Sequence, residues 1–436
     1  MITSPAFSGK RYAVLGLARS GLASVDTLLA SGADVTAWDG REDARAAVEG
    51  RATIADPLTI DLTGFDGMVV SPGVPLNRHP IAAHARAAGV PIIGDIELFA
   101  QARASLPPHK VVAITGTNGK STTTSLMHHI VKEAGLPTEM GGNIGLPILG
   151  QPPLPEGGVY VLELSSYQID LTYSLHADLA AFINLSPDHL DRYDGYEGYG
   201  ASKARLFQMQ QAGQFAVFGC GDDDTRRIAA EIAAHRPDGD VEVVDPAALT
   251  GQADWPSLQG PHNLQNAAIA VAMAKRLGID EPVWRAALAS FVGLPHRMER
   301  VAEAGGVLFI NDSKATNPAS TAPALGAWPR VHWILGGLPK GDDLDACAPY
   351  FGHVVQAYTI GEAGPRFAEI LEPLMPVQRS EMLGAAVRQA MDAAQPGDVV
   401  MLSPACASFD QFRDFEARGD CFRQIVTALI AEKGAA

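Results

Sequence analysis

The chain has 436 residues, a net charge of −16 and 47% hydrophobic residues, with 44 glycines and 30 prolines. This length exceeds one ordinary hydrophobic core, so two to four domains are expected, and the composition excludes a disordered chain. Because the charge repels phosphodiester backbones and anionic lipids, nucleic acid and anionic membranes are excluded as general partners. A polyanionic small substrate would therefore need a local basic site.

Hydropathy and cysteine usage indicate a cytoplasmic protein. No apolar run approaches the roughly 18 residues of a membrane span, and the N-terminus lacks the basic and apolar regions of a signal peptide. The four cysteines, Cys220, Cys347, Cys406 and Cys421, lie far apart without a Cys-x-x-Cys pair. They are expected to be reduced thiols and not disulfides or zinc ligands.

The first segment predicts a nucleotide-binding unit. Strands are predicted over 12–15, 35–38 and 68–70 with a helix over 20–30, and a glycine loop covers 16–21. Asp39 ends the second strand, a position that suggests dinucleotide binding, but Ala18 stands where that fingerprint has its second glycine. A less deeply bound nucleotide diphosphate tolerates alanine there. The alternative is a tight turn with Asp39 as a capping residue.

The segment 111–124, VVAITGTNGKSTTT, predicts a phosphate-binding loop between a buried strand and a helix. Gly116 and Gly119 let backbone N–H groups approach an anion, and the helix N-terminus adds partial positive charge. Lys120 supplies a point charge for the terminal phosphates. A simple turn is the alternative, but it gives no reason for a lysine followed by four hydroxyl residues.

Alternating strands and helices predict an α/β chain of three domains with mostly parallel sheets. The predicted domains are a Rossmann-like domain over 1–98, a central P-loop-type ATPase domain over 99–294 and a Rossmann-like domain over 295–436. A polar, proline-bearing linker is expected over 101–108. Further strands are predicted over 159–164, 179–184, 215–218, 307–311, 332–335, 354–360 and 399–402, and further helices over 265–277 and 282–289.

Three polar residues interrupt apolar segments downstream of the phosphate loop: Glu163, His189 and Lys203. Each alone has an ordinary reading, as a capping glutamate, a hydrogen-bonded histidine and a solvated lysine. Together they favour a metal site, because a carboxylate at the end of a parallel strand suits Mg²⁺ on phosphate oxygens. The hydroxyl of Ser121 or Thr122 would be a further ligand.

Amides and cations recur further along the chain. Asn263 and Asn266 share one face of a predicted helix and can read an adenine edge, although capping would explain one of them. Arg297 and Lys314 are the cations needed to neutralise a transferring phosphoryl group. The sequence therefore predicts that the third domain contributes charge to the phosphate site.

With these motifs assembled, the whole chain resembles the Mur ligase family, and most closely its D-glutamate-adding branch. The motifs are TGTNGKST, GGNIG (141–145), ELSSYQ, DHLDRY, HNLQN, LPHR, NDSKATN and LSPACASFDQF (402–412). The resemblance implies an ATP-dependent amide ligase that adds D-glutamate to UDP-N-acetylmuramoyl-L-alanine through an acyl phosphate and a tetrahedral intermediate. It also implies a monomeric, cytoplasmic enzyme of peptidoglycan precursor synthesis, without nucleic acid or membrane partners.

The resemblance assigns residues to each ligand. Catalytic roles fall to Lys120, Glu163, His189 and Lys203, and the Mg²⁺ ligands would be Ser121, Glu163, His189 and Lys203. Two ions are expected, with Lys203 carbamylated, because added CO₂ turns a cation into an oxygen donor. The ATP residues would be Gly116, Thr117, Asn118, Gly119, Lys120, Ser121, Thr122, Asn263, Asn266, Arg297, Asp312 and Lys314. The residues for the UDP substrate would be Gly16, Ser20, Asp39, Arg41, Ser71, Gly73, Asn143 and His189. D-glutamate would contact Thr316, Lys340, Ser408 and Phe415.

Three rival interpretations remain open from the sequence. The N-terminal loop and Asp39 alone would suit an NAD-dependent oxidoreductase, which Ala18 and the second phosphate loop oppose. A non-catalytic nucleotide-binding scaffold would leave the metal and cation residues unexplained as a set. Another ligase of the same family, adding a different amino acid, is disfavoured because the Asp-Asn-Pro-Arg motif of the diamino-acid branch is absent.

Overall fold

The computed structural model describes residues 1–434, whose contacts group into two compact units. The first unit holds Met1–Asp245 and Ala268–Ala287, and the second holds Pro246–Ala267 and the chain from Leu288 onward. Among the described residues, no helix is long and apolar enough to cross a membrane.

The first unit contains two parallel sheets. The first sheet has the strand order β3-β2-β1-β4-β5 and the second has the order β11-β10-β9-β6-β8-β7. The strands of the first sheet are β1 (Arg11–Leu15), β2 (Asp34–Trp38), β3 (Thr53–Ile54), β4 (Gly67–Val70) and β5 (Ile92–Ile93). Those of the second are β6 (His109–Thr115), β7 (Thr138–Gly142), β8 (Gly158–Glu163), β9 (Leu179–Phe182), β10 (Phe215–Phe218) and β11 (Val241–Val243).

The second unit is built on a third sheet with the order β12-β13-β17-β14-β15-β16, in which only the β12–β13 pair is antiparallel. Its strands are β12 (Glu299–Ala304), β13 (Val307–Asn311), β14 (Val331–Gly336), β15 (Val354–Ile360), β16 (Val377–Glu381) and β17 (Val399–Leu402). The sheets and the helices around them confirm the predicted α/β class with mostly parallel sheets.

Helices alternate with the strands along the chain. They are α1 (Arg19–Ala30), α2 (Glu42–Ala46), α3 (Ile81–Ala87), α4 (Asp95–Ala102), α5 (Lys120–Glu133), α6 (Ser166–Asp170), α7 (Gly195–Gln208), α8 (Asp223–Ala233), α9 (Pro261–Arg276), α10 (Glu281–Ser290), α11 (Pro318–Leu325), α12 (Gly364–Leu371), α13 (Leu383–Ala393) and α14 (Phe415–Gly434).

Three local predictions need correction or stay open. The predicted strand over 179–184 ends at Phe182, because the next two residues enter a loop beside the phosphate loop. The predicted linker over 101–108 begins inside α4 and continues through a 3-10 turn, Arg103–Ser105, so part of it is helical. The domain boundaries at 98 and 294 stay predictions; position 98 lies within α4.

Apolar side chains cover both faces of each sheet. Large buried residues such as Phe99, Tyr160 and Phe182 belong to one cluster that spans the first two sheets, and β1 also packs Ala13 and Leu15 against a second cluster on its other face. Two further clusters flank the third sheet. Because both faces of the sheets are covered, the carboxyl-end loops of the strands are left as the places for polar side chains.

Candidate active site

The predicted phosphate loop lies where the strand order of the second sheet reverses. From β6 the chain passes to β8 and β7 on one side and later to β9 and its neighbours on the other, and ligands of parallel sheets bind at such points. The loop begins at Gly116 (φ +149°) and ends at Gly119 (φ +84°), which directly precedes α5. A side chain on Gly116 would press on Ile183 and Asn184, so glycine is required for the close approach of these two loops.

Asn184, which the sequence did not single out, holds the backbone of this loop. Its carbonyl oxygen accepts a hydrogen bond from the N–H of Thr117 (2.9 Å), and its side-chain oxygen accepts one from the N–H of Asn118 (2.8 Å). The loop is therefore clasped from the end of β9. The sequence signal for Asn184 is a polar residue at the end of the apolar run that forms β9. This strand pairs with β6, which leads into the phosphate loop.

Two predicted lysines meet at one carbonyl oxygen. Lys120 Nζ donates to the carbonyls of Gly116 (3.0 Å) and Thr117 (2.8 Å), and Lys203 Nζ also donates to that of Gly116 (2.8 Å). Burial, with the nearby charge of Lys120 as a second cause, lowers the pKa of Lys203 well below the ordinary lysine value. Burial and the positive charge of Lys120 thus both disfavour the protonated form of Lys203.

Glu163 ends β8 beside the loop, and Asn143 lies next to it. Asn143 Nδ2 donates to Glu163 Oε1 (2.9 Å), whereas the buried Oε2 atom has no hydrogen-bond partner. An unpartnered buried carboxylate oxygen is costly, and it fits an Mg²⁺ ligand. Among the described residues no group of three or more His, Cys, Asp or Glu side chains could hold a metal. Mg²⁺ in nucleotide sites usually takes one or two protein carboxylates and completes its shell with phosphates and water.

His189 lies in the loop after β9, in a left-handed backbone conformation (φ +53°). The centre of its ring is 5.2 Å from that of Tyr167 and 6.4 Å from that of Tyr199. The Tyr199 ring also contacts Lys203, whose Nζ lies 4.6 Å from the ring centre. The aromatic rings thus connect His189 to the lysine that the sequence grouped with it. Lys120, Glu163, His189 and Lys203 are brought to one region of the first unit.

The N-terminal loop lies at the corresponding reversal of the first sheet, between β1 and β4. Ser71 Oγ donates to the carbonyl of Gly16 (2.9 Å), and Asp39 accepts from the N–H groups of Leu17 (2.8 Å) and Arg41 (3.0 Å). Burial raises the pKa of Asp39, but these two N–H groups and the nearby arginines outweigh it and leave the pKa below its usual value. Asp39 therefore holds the backbone of the loop, but it caps neither α1 nor α2, whose N-cap residues are Ala18 and Arg41. Its contact with the UDP substrate stays a prediction.

Ser20 and Gly73, two further residues predicted for the UDP substrate, lie in segments next to this loop, whereas Asn143 and His189 lie in the region of the phosphate loop. Ser20 lies in the first turn of α1, where helix N–H groups attract anions, and Gly73 is exposed after β4. Arg192 from the loop that carries His189 donates to the carbonyls of Pro72 and Val74. The loop that carries His189 therefore contacts the loop that follows β4.

In the second unit, Asn263 and Asn266 share one face of α9, as predicted. Asn266 Nδ2 donates to Asn263 Oδ1 (3.1 Å), and Asn263 Nδ2 donates to the carbonyl of Gln259 (3.1 Å). Both side chains are buried. Part of their hydrogen-bonding capacity is thus used within the protein.

Arg297 and Lys314 are presented by two loops that bond to each other. Residues His296 and Met298 have φ values of +62° and +51°, so the backbone around Arg297 is strained. The N–H of Lys314 donates to the carbonyl of His296 (3.0 Å) and that of Met298 to Asp312 Oδ1 (3.1 Å). The structure therefore brings the two predicted cation loops together.

Asp312 is buried beneath these loops. Its Oδ2 accepts from the hydroxyl of Ser403 (2.8 Å), and burial raises the pKa of its carboxyl to about 7. The contacts found for this side chain are with the protein itself, and contact with ATP stays a prediction.

The residues predicted for the amino acid follow β13, β14 and β17, which are neighbours in the third sheet. Thr316 and Lys340 lie in the loops after β13 and β14, and Ser408 lies after β17. Phe415 begins α14, and its ring lies 4.1 Å from Lys314 Nζ. Because the carboxyl ends of neighbouring parallel strands lie on the same side of a sheet, these loops share one end of the third sheet.

Arg418, which the sequence did not single out, ties these loops together. Its guanidinium is buried and donates to the side chain and carbonyl of Ser313 (3.0 and 2.8 Å) and to the carbonyls of Cys406 (3.0 Å) and Ala407 (3.1 Å). Burial lowers its pKa to about 10. A buried arginine within a helix pattern is not distinguishable in sequence from an exposed one, so only the fold reveals it.

Three family models match the chain. They are the MurD-like N-terminal domain of Mur ligases over residues 10–94, the Mur ligase middle domain over 114–274 and the Mur ligase glutamate ligase domain over 296–406. Together they cover both nucleotide loops and the loops after β13 and β14, whereas Ser408 and Phe415 lie just beyond the third match.

Curated relatives match over their full length. A protein of Novosphingobium aromaticivorans named UDP-N-acetylmuramoylalanine--D-glutamate ligase is 80% identical, with 100% of this chain and 98% of the relative covered. A protein of the same name from Sphingopyxis alaskensis is 61% identical, with 98% and 100% covered.

Solved structures share the fold. MurF of Acinetobacter baumannii aligns with a TM-score of 0.58 at 17% identity, covering 99% of this chain and 93% of that chain. The UDP-N-acetylmuramate-alanine ligase MurC of Thermotoga maritima aligns with a TM-score of 0.54 at 15% identity, covering 96% and 99%. With three family models and full-length relatives in agreement, the chain belongs to the Mur ligase family.

Proposed function

We propose that this chain uses ATP to join D-glutamate to UDP-N-acetylmuramoyl-L-alanine, in peptidoglycan precursor synthesis. The observation that carries the proposal is the convergence of Lys120, Lys203 and the half-unpartnered Glu163 on one anion-binding loop. The relatives' shared name, at up to 80% identity, supports the choice of D-glutamate.

ATP would bind with its phosphates on the loop 116–122, held by backbone N–H groups and by Lys120. Asn263 and Asn266 would face its adenine, and Arg297 and Lys314 would neutralise its terminal phosphate. The support is chemical, because cations in preorganised positions stabilise the charge that develops during phosphoryl transfer. Asp312, whose carboxylate accepts a hydrogen bond from the N–H of Met298, would also contact ATP.

Mg²⁺ would be held by Ser121 and Glu163, and a second ion by His189 and a carbamylated Lys203. The bound ions would neutralise phosphate charge and orient phosphate oxygens. The lowered pKa of Lys203 supports its carbamylation, because only the neutral amine reacts with CO₂. Replacing Lys203 with alanine and adding short carboxylic acids is the direct test: recovered activity supports the carbamate.

The reaction would proceed in two steps. The carboxylate of UDP-N-acetylmuramoyl-L-alanine attacks the γ-phosphorus of ATP, giving an acyl phosphate and ADP. The amine of D-glutamate then attacks the acyl carbon, and the tetrahedral intermediate expels inorganic phosphate as the amide forms. The protein's part is to hold three anionic reactants together against their repulsion, which is a task for positioning and electrostatics.

The other two substrates would occupy the two remaining loop regions. UDP would lie on the N-terminal loop with Asp39, Arg41 and Ser71, and its sugar-linked carboxylate would approach Asn143 and His189. D-glutamate would contact Thr316, Lys340, Ser408 and Phe415. The contacts of Arg192 with the loop after β4 support one continuous path for the UDP substrate in the first unit.

The same proposal includes three domains over 1–98, 99–294 and 295–436, and a monomer in the cytoplasm, where ATP and nucleotide sugars are supplied. The placement of one sheet within each range supports the domains. Light scattering should give the mass of one 45.9 kDa chain at all concentrations tested.

The decisive experiment measures phosphate release from ATP and Mg²⁺ with UDP-N-acetylmuramoyl-L-alanine. D-glutamate is compared with L-glutamate, L-alanine, L-lysine and meso-diaminopimelate. Release that depends strictly on D-glutamate is the expected result. Equal or faster release with another amino acid would assign the chain to another branch of the family, and no release with any would overturn the proposal.

A further inference from the structure

Asp170, at the end of α6, connects this helix to the two elements that carry His189 and Lys203, and we propose that it is a positioning residue for the metal side of the active site. Its Oδ1 accepts a hydrogen bond from the hydroxyl of Ser202 (2.7 Å), and its Oδ2 accepts one from the hydroxyl of Tyr193 (3.0 Å). Through these bonds one carboxylate joins α6, the loop that carries His189, and the helix that carries Lys203. This inference rests on the function proposed above.

The bond to Ser202 sets the rotation of α7. Ser202 and Lys203 are consecutive, so their side chains leave the helix about 100° apart. While Ser202 is fastened to Asp170, Lys203 points to the phosphate loop and donates to the carbonyl of Gly116. Turning α7 to release the first contact would move the lysine amine away from the second.

Arg205 adds a second connection between the same two helices. One turn along α7, its guanidinium lies 3.5 Å from the Asp170 carboxylate and donates to the carbonyls of Asp170 and Thr172 (both 3.2 Å). The side chains of both charged residues are about one-third exposed, so the ion pair itself adds little to stability. Its geometry nevertheless holds the carboxylate toward α7.

The bond to Tyr193 fixes the aromatic group around His189. The Tyr193 ring stacks on that of Tyr167, with centroids 6.0 Å apart and planes 16° apart, and lies 5.5 Å from the Tyr199 ring. Tyr167 in turn lies 5.2 Å from His189. Asp170 therefore restrains the surroundings of His189 without touching it.

The contacts of Asp170 lie beside an open pocket. This pocket of about 470 Å³ is lined by Asp170, Tyr193, Ser202 and Arg205 among others. Since α7 also buries Tyr199, Leu206 and Phe207 in the core, apolar packing contributes to its position. The hydroxyl-to-carboxylate bond adds a directional contact where the helix borders the pocket.

The test compares Asp170→Ala with a matched control, Asp224→Ala. Asp224 also accepts from a tyrosine hydroxyl, Tyr196 (3.1 Å), and lies 3.5 Å from an arginine, Arg227, but it touches neither Ser202 nor Tyr193. Ser202→Ala removes the hydroxyl that bonds Asp170 to α7, together with its longer contacts to the Ser166 carbonyl (3.3 Å) and the Tyr193 hydroxyl (3.5 Å), but keeps the Asp170 carboxylate. It guards against a fold defect in the first variant. Amide hydrogen exchange over 186–203, thermal unfolding, kcat and the Mg²⁺ concentration for half-maximal rate are measured for each.

Asp170→Ala should exchange faster over 186–203, lose about 10–100-fold in kcat and need more Mg²⁺, as supporting residues around metal sites do. Ser202→Ala should show the same changes to a smaller degree, and Asp224→Ala should match the wild type. Wild-type exchange and kcat in both Asp170→Ala and Ser202→Ala would overturn the inference. A wild-type chain that ligates no amino acid would overturn the proposed function instead, while the exchange data would still test the role of Asp170.

Discussion

The buried polar residues of this chain differ in whether their local sequence makes them recognisable. Lys203 and Glu163 stand in otherwise apolar segments, a local contrast that is visible in the sequence. Asn184 and Arg418 bond to backbone groups in loops 66 and 105 positions away, so their surroundings are set by chain topology. Sequence reasoning therefore singled out polar residues that interrupt apolar segments and missed those that hold distant loops.

The charge of Lys120 is expected to be indispensable. Lys120→Ala should reduce phosphate release by about 10²–10³-fold, because removing one group that stabilises transition-state charge costs about that much. Phosphate release by the purified variant, with thermal unfolding to verify the fold, is the measurement. Lys132→Ala, at the exposed far end of the same helix, is the control and should keep normal activity. Normal turnover in Lys120→Ala would contradict the scheme.

Asp312 should make stability depend on pH. Burial raises its pKa to about 7 from 3.8, so the folded state holds a proton that the unfolded state releases between these values. The loss of unfolding free energy linked to its ionisation is therefore absent below about pH 4 and grows between pH 4 and 7. Above about pH 7 this loss is constant, at most about 4 kcal/mol.

Asp312→Asn imitates the protonated carboxyl and should remove this cost. Urea unfolding of both proteins between pH 5 and 8 is the measurement. The stability of the variant relative to the wild type should rise with pH and level off above pH 7. A difference that stays constant or falls over this range would show that the buried carboxyl is already ionised at pH 5.

Among the secondary-structure elements, the position of a strand within its sheet determined whether it was predicted from the sequence. All eleven predicted strands are interior strands of the three sheets, and the six that were missed, β3, β5, β7, β11, β12 and β16, are the six edges. Interior strands are covered on both faces and read as apolar runs, whereas edge strands are short or partly exposed. Their existence depends on a neighbouring strand that offers hydrogen bonds.

The packing of α1 on the N-terminal loop should be intolerant of one methyl group. A Cβ on Gly21 would overlap the carbonyl oxygen of Gly16. Gly21→Ala should therefore destabilise the chain by about 2 kcal/mol and weaken binding of the UDP substrate, measured by thermal unfolding and titration calorimetry. Gly150→Ala is the control, because its new Cβ would make an ordinary 3.7 Å contact with Ala23 of the same helix. Equal stability and affinity of the two variants would contradict the packing argument.

For the whole molecule, two compact units predict two unfolding events. UDP-N-acetylmuramoyl-L-alanine should stabilise the first unit, which contains every residue proposed to bind it, by about 2.7 kcal/mol at 100 times its dissociation constant. Scanning calorimetry should show a higher midpoint temperature for only one of the two transitions. That transition is identified as the one whose midpoint Gly21→Ala lowers. An equal rise in both transitions would show that the substrate-binding surface is not confined to the first unit.

The sequence by itself determined the α/β class, the interior strands, the phosphate loop and the family, because these depend on local patterns of apolar runs, glycines and charged residues. Only the tertiary structure decided the edge strands, the clasp by Asn184, the buried guanidinium of Arg418 and the connections of Asp170. These depend on which distant loops the strand order places side by side. Such contacts produce no periodic or local pattern in the sequence, because the partner of each polar residue is distant along the chain and becomes a neighbour only in the folded structure.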